Sequence, residues 1–229
     1  MEKNSQPKYK KTVLKSGTIS ITKIVGNKPC PEHRIIRDRK KLIDIIKILR
    51  KEGLRIGYTG GVWDQIHDGH IKYIRKAKSL CDILVVGVDD DEFTKQRKPD
   101  QKNRPIDTLE VRFITLSEMR SINILTPRTV NEPMEQLIMD ILPDVAVFSK
   151  STKDADEEEI RQVRGPYCGE IVFLEPQSTN SSTEKIRKVA MNGAHELAVH
   201  LKKSLNGVNV NILETSLNAY FSKTEGGGS

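Results

Sequence analysis

The order of apolar and polar segments predicts an α/β fold, with five parallel strands in one sheet and helices on both of its faces. Short aliphatic runs alternate with amphipathic segments of helical spacing between residues 54 and 187. Each run is almost continuously apolar, as expected for a strand that is buried on both faces. Parallel neighbours need long crossover connections, which the intervening helices supply, and right-handed crossovers make such a sheet Rossmann-like.

The predicted elements follow one another in a regular order. Before the first strand, the apolar spacing of residues 40–52 indicates a helix that ends at Gly53. The predicted strands are Leu54–Thr59, Ile83–Val88, Ile122–Leu125, Val145–Ser149 and Glu170–Leu174. The predicted helices between them are Gly69–Leu80, Leu109–Met119, Met134–Ile141 and Asp154–Val163, with further helices from Glu184 and over residues 195–205.

The chain is expected to form one domain with an extension at each end. Residues 1–38 are predicted to be a basic, partly disordered extension with a hairpin near residues 12–25, and residues 39–190 form the α/β domain. Residues 191–225 are predicted to be a helical C-terminal extension. The final GGGS, residues 226–229, is interpreted as an artificial tail.

The net charge of +7 belongs to the N-terminal part of the chain. Residues 1–55 contain 16 Lys/Arg and five Asp/Glu, whereas the other residues contain 22 Lys/Arg and 26 Asp/Glu. Such a basic arm is either a solvated extension or a contact for nucleic acid, anionic lipid or an acidic partner. Nucleic acid is disfavoured as the main ligand, because aromatic residues make up 5% of the chain and no nucleic-acid motif is recognised.

The cysteines and the apolar runs indicate a soluble, cytoplasmic protein. Cys30, Cys81 and Cys168 are widely spaced and form no Cys-x-x-Cys pair, so reduced thiols are expected instead of disulfides or a zinc site. The apolar runs are far shorter than the roughly 20 residues that a membrane-spanning helix needs. No apolar run follows the charged N-terminus, so a secretory signal is not expected.

The segment from Gly57 to Leu80 carries the chemistry. A predicted strand ends in Thr59-Gly60-Gly61, and His67-Asp68-Gly69-His70 then leads into an amphipathic helix. Ligands of open α/β sheets bind at the carboxyl ends of the strands, and the N–H groups at a helix N-terminus suit phosphate oxygens. Two imidazoles three residues apart project to one side and can stabilise charge as pyrophosphate leaves.

This interpretation competes with two simpler ones. The histidines could be ordinary exposed or core residues, or two ligands of a metal ion. The strand-Gly-Gly context before the helix favours a phosphate site, and because no third ligand lies nearby in the sequence, no metal site on the protein is predicted.

The segment GGVWDQIHDGH resembles the pattern G-x-F-D-x-x-H-x-G-H of the cytidylyltransferase-like nucleotidyltransferases. The matching residues are Gly61, Asp64, His67, Gly69 and His70, and Trp63 stands at the position of the aromatic Phe. Further blocks, Thr94–Arg112, Ile141–Phe148 and Ser181–Ile186, resemble the adenylyltransferase domain of bifunctional ADP-heptose synthases and, less closely, glycerol-3-phosphate cytidylyltransferases. The resemblance therefore implies the HxGH nucleotidyltransferase type of fold.

The resemblance also implies roles for individual residues. The implied catalytic residues are His67, His70 and Lys98, of which Lys98 neutralises the phosphates of both substrates. The implied nucleotide-binding residues are Thr59, Gly60, Gly61, Trp63, Gly69, Ser181, Ser182 and Thr183. The implied substrate-binding residues are Asp64, Lys95, Arg104 and Arg112.

Structural roles remain open for several of these residues. Either lysine could be a solvated loop residue, Asp64 could only stabilise a turn, and Arg112 could form a structural ion pair. The hydroxyl residues 181–183 could be an ordinary helix cap, although capping and anion binding use the same N–H groups.

The predicted function is the transfer of an NMP, AMP in the first instance, from an NTP to a sugar phosphate such as a heptose phosphate, with release of pyrophosphate. The resemblance implies Mg²⁺ bridging the NTP phosphates, an NTP and a small phosphorylated substrate as partners, and a homodimer. Residues 149–154 differ from the family pattern, so ATP and CTP both remain open. The alternatives are a CTP-dependent enzyme acting on glycerol phosphate or another alcohol phosphate, and a non-catalytic nucleotide-binding regulatory protein.

Overall fold

The computed structural model describes residues 31–97, 104–150, 156–178 and 182–204, together with residue 215. The chain divides into two compact units, one up to Gln177 and one from Ser178. The strands are β1 (Ile56–Gly61), β2 (Ile83–Asp89), β3 (Ile124–Arg128), β4 (Val145–Ser149) and β5 (Glu170–Leu174). The helices of the first unit are α1 (Arg39–Lys51), α2 (Asp68–Lys78), α3 (Asp91–Arg97), α4 (Leu109–Ser117), α5 (Gln136–Ile141) and α6 (Glu157–Arg164), and α7 (Ser182–Ser204) belongs to the second unit.

The five strands form one sheet in the order β3-β2-β1-β4-β5, and every pair of neighbours is parallel. The predicted five-stranded parallel sheet is therefore confirmed. The chain moves outward from β1 to β3 and then returns to the other side of β1 with β4. The direction of winding thus reverses between β1 and β4, which is where ligands of such sheets bind.

Two apolar layers enclose the sheet, as predicted for helices on both faces. Because successive strand residues point to opposite faces, Tyr58 and Val85 pack with α1 and α5, whereas Val86 and Val88 pack with α2 and α4. Each fully buried aliphatic side chain contributes roughly 1.5–3 kcal/mol. This packing holds the carboxyl ends of the strands in a fixed arrangement.

The residues before α1 pack on the edge of the sheet. Ile35 bridges to Leu125, the Ile36 amide donates to the Leu125 carbonyl at 2.8 Å, and the Ile36 side chain is buried in the core. Arg34 is also buried and donates to the carbonyls of Ser117 and Met119, both at 3.0 Å. The part of the predicted N-terminal extension from residue 31 onward is therefore packed onto the domain.

Several element boundaries differ from the prediction by one to three residues, and two of these differences and one additional helix have identifiable local reasons. Gly53 ends α1 as expected, with a φ of 77°, but the Leu54 amide donates to Leu49 and closes the helix, so β1 begins at Ile56. β3 continues through Pro127 because an edge strand tolerates a residue without an N–H group. The short polar helix α3 was not predicted, and it starts where the Asp90 carboxylate accepts from the Phe93 amide at 2.6 Å.

In the second unit, α7 is one continuous helix from Ser182 to Ser204, where two helices were predicted. The predicted domain boundary at residue 190 falls inside this helix. Within the described part of the chain, every helix is too short or too polar to cross a lipid bilayer.

Candidate active site at the carboxyl edge of the sheet

A crevice begins where β1 and β4 part. These strands are paired at Gly57 with Val145 and at Tyr58 with Ala146, whereas β1 stays paired with β2 as far as Gly61. Beyond Tyr58, the carboxyl ends of β1 and β4 are therefore not joined by ladder hydrogen bonds. This place coincides with the reversal of strand order.

Thr59 and Tyr73 connect the two sides of this crevice. The Tyr73 hydroxyl of α2 donates to the Val147 carbonyl of β4 at 2.9 Å, so the Thr59 hydroxyl donates to Tyr73 over 3.0 Å. Both residues are buried, and burial raises the pKa of Tyr73 above its ordinary value. Thr59, predicted to bind nucleotide, thus has its hydroxyl engaged within the protein.

His67 begins α2 in an unusual way. Its backbone is extended, with a φ of −137°, and its Nδ1 atom accepts from the Gly69 amide at 3.1 Å, as Ser or Asp does at most helix starts. This bond requires Nδ1 to be unprotonated, so the ring proton lies on Nε2. With Nδ1 occupied in this way, Nε2 is the ring nitrogen of His67 that can donate to a ligand.

His70 lies beside His67. The two ring centroids are 4.0 Å apart, and the rings are inclined by 35°. The rings of Trp63 and His70 pack edge to face, with centroids 5.6 Å apart. Both histidines are partly exposed. The two residues that the sequence analysis predicted to carry the chemistry therefore lie together at the N-terminus of α2, beside the crevice, where a ligand can reach them.

The loop between β1 and α2 is held in a strained conformation. Trp63 and Gln65 have positive φ values of 58° and 48°, which cost on the order of 1–3 kcal/mol each in residues other than glycine. Trp63 Nε1 donates to the Gly87 carbonyl at 3.0 Å, and Gln65 donates to the Asp107 carboxylate at 2.9 Å. These bonds hold the loop that presents His67.

Asp64 anchors the same loop through a buried carboxylate. Its oxygens accept from Arg104 at 2.8 Å and from the amides of Ile106 and Asp107, both at 3.0 Å. Burial alone would raise the pKa of Asp64, but the hydrogen bonds from these amides and from Arg104 hold it below its ordinary value. The geometry supports the orienting role for Asp64 and Arg104, and their substrate-binding role stays a prediction.

Arg112 has 1% of its surface exposed and joins four segments. Its guanidinium donates to the carbonyls of Asp107 at 3.0 Å, Val62 at 2.5 Å and Asp89 at 2.7 Å, and to the Asp91 carboxylate at 2.6 Å. A side chain enclosed in this way ties the β1–α2 loop to the end of β2. The structure therefore favours the ion-pair alternative that the sequence left open for Arg112.

The glycines at the end of β1 make room for protein side chains. A Cβ atom on Gly60 would lie 2.5 Å from the Tyr58 hydroxyl and 3.0 Å from Arg128, and one on Gly61 would lie 3.3 Å from the Trp63 ring. The resemblance implied that Gly60 and Gly61 bind nucleotide, and that role stays a prediction. In the structure, the neighbouring side chains are by themselves a sufficient reason for glycine at both positions.

A second buried charge cluster lies at the ends of β2 and β3 and was missed from the sequence. Asp89, with no exposed side-chain surface, forms ion pairs with Arg97 and Arg128. Arg128 Nε donates to Asp89 at 2.6 Å. An acidic residue directly after the apolar run of β2 was the available signal for a buried carboxylate. The sequence did not reveal the arginine partners of Asp89, because these depend on which strand lies next to β2.

The remaining predicted site residues are divided between described and undescribed parts of the chain. Lys95 is exposed on α3 and pairs with Glu92 at 2.9 Å. Gly69 is buried in the first turn of α2, and the backbone of Ser182 and Thr183 begins α7. Lys98 and Ser181 lie outside the described residues.

Of the segment that departs from the family pattern, Ser149 and Lys150 are described and residues 151–154 are not. Lys150 is exposed and pairs with Glu175 at 2.7 Å and with Glu157 at 3.6 Å. These contacts lie at the carboxyl end of β4, on the far side of the crevice from β1.

The cytidylyltransferase-like family model matches residues 58–189, which is more than half of the 229-residue chain. Bifunctional protein HldE of Helicobacter hepaticus is 34% identical over 160 residues, or 69% of this chain and 31% of that protein. The protein of the same name from Nitratiruptor sp. is 33% identical over 160 residues, or 69% of this chain and 33% of its own length. The chain thus matches about a third of the length of these relatives.

Among solved structures, the chain is similar to a pantoate-beta-alanine ligase from Francisella tularensis in complex with beta-gamma ATP and beta-alanine. The TM-score is 0.54 at 16% identity, and the match covers 81% of this chain and 85% of that one. At this level of identity the likeness concerns the fold alone.

Proposed function

Since this chain belongs to the cytidylyltransferase-like family of nucleotidyltransferases, we propose that it transfers AMP from ATP to a sugar phosphate, such as a heptose phosphate, and releases pyrophosphate. The observation that carries the proposal is the His67–His70 pair, with ring centroids 4.0 Å apart at the start of α2 beside the β1–β4 crevice. The identity to proteins named HldE and the resemblance to ADP-heptose synthases support a heptose-type acceptor.

In the proposed reaction, a phosphate oxygen of the acceptor attacks the α-phosphorus of ATP. A new P–O bond forms there as the bond to the bridging oxygen of the β-phosphate breaks, and pyrophosphate leaves with that electron pair. His67 donates from Nε2, because its Nδ1 is occupied by the Gly69 amide, and His70 donates beside it. Both imidazoles donate hydrogen bonds to the oxygens on which negative charge grows. Stabilising this charge is usually the largest contribution to catalysis, and positioning of the two substrates adds to it.

Mg²⁺ is proposed to bridge the ATP phosphates. In the described residues, no group of three or more His, Cys, Asp or Glu side chains could hold a metal ion. Asp64 and Asp89, the buried carboxylates nearest the loop, are already bound to arginines. A Mg²⁺ ion bound with the ATP would supply charge neutralisation, and Mg²⁺ usually keeps several of its water ligands at such sites.

A coupling assay tests the proposal. The protein would be incubated with Mg²⁺, ATP or CTP, and a panel of phosphorylated sugars and polyols that includes heptose phosphates and glycerol phosphate. We expect pyrophosphate release with ATP and one sugar phosphate, and a product with the mass of the ADP-sugar. Coupling to CTP and glycerol phosphate alone would refute both the base and the acceptor proposed.

Binding can be measured independently of turnover, because Trp63 is the single tryptophan of the chain and contacts His70. A nucleotide bound at the start of α2 is expected to change Trp63 emission. A protein that binds ATP in this titration but releases no pyrophosphate with any acceptor would contradict the proposed transfer.

We also propose a homodimer. Ile106, Val111 and Ile114, on α4 and the segment before it, expose 49%, 46% and 64% of their surface. Val111 and Ile114 are three residues apart and so share one face of α4, and an exposed apolar face is typical of protein contacts. Light scattering should give twice the chain mass, and Ile114→Glu should reduce it, whereas a monomer at micromolar concentration would contradict the proposal.

A further inference from the structure

We infer that Tyr73 is a positioning residue that sets the distance between the two histidines at the start of α2 and the carboxyl end of β4. The inference rests on the proposed function, in which a nucleotide lies in the crevice between these elements. Tyr73 has 8% of its surface exposed, so it acts through the geometry of the site and needs no contact with a substrate.

The two strands that border the crevice are each held by their other neighbour. β1 is paired with β2 as far as Gly61, and β4 is paired with β5 as far as Ser149. The ladder between β1 and β4 ends at Tyr58 and Ala146. Ladder hydrogen bonds between the two strands therefore do not set the spacing of their carboxyl ends.

The Tyr73 hydroxyl bonds to the next residue of each strand, which is Thr59 in β1 and Val147 in β4. It donates to the Val147 carbonyl at 2.9 Å and accepts from the Thr59 hydroxyl over 3.0 Å. One buried oxygen atom of α2 thus connects both strands where their ladder has ended. Because hydrogen bonds are short and directional, this atom defines how far apart the two strands lie.

Tyr73 is also the first residue of α2 with a buried side chain beyond the backbone. The buried residues of this helix are Gly69, Tyr73, Ile74 and Ala77. Ile74 and Ala77 belong to an apolar cluster, and apolar burial has no preferred direction. The hydroxyl bonds of Tyr73 therefore fix where the first turns of α2 lie relative to β4.

Two connections carry this position to the histidines. Tyr73 follows His70 by three residues, so both side chains project from the same side of α2. The Trp63 ring lies near both, with centroid distances of 6.0 Å to Tyr73 and 5.6 Å to His70. His70 in turn lies beside His67. The imidazoles are thereby held at a fixed distance from β4, and misplacement by about 1 Å costs on the order of 100-fold in rate.

A double-mutant cycle tests whether Tyr73 acts through His70. The variants are Tyr73→Phe, which keeps the ring and removes both hydroxyl bonds, His70→Ala and the double variant. We expect Tyr73→Phe to lower kcat by about 10- to 100-fold, whereas the ATP dissociation constant, read from Trp63 emission, should change by less than about threefold, because the transition state needs stricter geometry than binding. In the His70→Ala background, Tyr73→Phe should change kcat by less than about twofold.

Tyr58→Phe is the matched control. Tyr58 is a buried tyrosine of β1 that faces the other side of the sheet, where its hydroxyl accepts from Arg128 at 3.3 Å. Both tyrosine variants lose a buried hydroxyl, so both should lower the midpoint temperature of unfolding by several degrees. Tyr58→Phe should nevertheless leave kcat unchanged.

The position of α2 can also be determined without turnover. In a crystal structure of Tyr73→Phe, the start of α2 should be displaced relative to the end of β4, and in Tyr58→Phe it should not. An unmoved helix or full activity in Tyr73→Phe, equal losses of kcat in the two tyrosine variants, or additive effects of Tyr73→Phe and His70→Ala would each overturn the inference. Absence of transfer by the unmodified protein would instead refute the proposed function, and the positioning role with it.

Discussion

The two edges of the sheet differ in how they hold charge. At the carboxyl edge, Asp64, Asp89 and Arg112 are buried and fully engaged, and the adjoining loop has strained residues. At the amino edge, an open cavity of about 530 Å³ is lined by Arg50, Gly53, Leu54, Arg55, Asp144, Gly169 and Glu170. Its ion pair, Arg55 with Glu170, is about half exposed.

If the histidine pair performs the proposed reaction, cavity volume does not mark the reactive edge of this sheet. The cavity lies at the opposite end of the strands from the histidine pair, and nothing about its exposed ion pair requires strict geometry. Buried, paired charges and positive φ values are costly, so they persist where the surroundings hold a precise arrangement. We therefore expect variants at the two edges to differ sharply.

The largest difference is expected for arginine replacements. Arg112→Met leaves three carbonyls and Asp91 without their buried donor and should lower the free energy of unfolding by about 3–5 kcal/mol. Arg55→Met, at the amino edge, is the matched control and should cost less than about 1 kcal/mol. Denaturant unfolding measures both, and equal losses would remove the distinction between the edges.

The second largest effect concerns rate. His70→Ala should lower kcat by about 100- to 1,000-fold, or roughly 2.7–4 kcal/mol, because one donor to the growing charge is lost. His200→Ala, an exposed histidine of α7, should leave kcat unchanged. Nucleotide binding, read from Trp63 emission, should persist in both variants, and full activity of His70→Ala would rule out a catalytic role.

A smaller effect should appear in the pH dependence of stability. The pKa of Asp64 is held below its ordinary value, so the carboxylate stabilises the fold above the unfolded-state pKa of about 4 and loses this contribution as pH falls through the folded-state pKa. Asp64→Asn should therefore be less stable than the unmodified protein at pH 7, by on the order of 2 kcal/mol, with the gap narrowing below about pH 4. A gap that stayed constant down to pH 2 would contradict the assigned cause.

The smallest effect is expected for the amino-edge ion pair. Glu170→Gln removes an exposed partner of Arg55 and should change the free energy of unfolding by less than about 1 kcal/mol. kcat/KM should stay the same, because the change lies at the far end of the sheet. A large loss of activity would show that the amino edge takes part in the reaction.

Much of this arrangement could be predicted from local sequence. The aliphatic runs marked all five strands, Gly53 ended α1, and the His67–His70 spacing before an amphipathic segment placed both rings at the start of α2. These features depend on periodicity and on residues close together in the chain. Element ends were less accurate, as at β3, because an edge strand accepts Pro127 where a central strand would not.

The sequence by itself determined the order of strands and helices, their buried faces and the pair of imidazoles at the start of one helix. Tertiary structure alone decided that Asp89 meets Arg97 and Arg128, that Arg112 is enclosed among four segments, and that Gly60 accommodates the Arg128 and Tyr58 side chains. The physical reason is that burial and pairing of a charge depend on which strands become neighbours. That choice follows from packing the whole sheet, and no local pattern contains it.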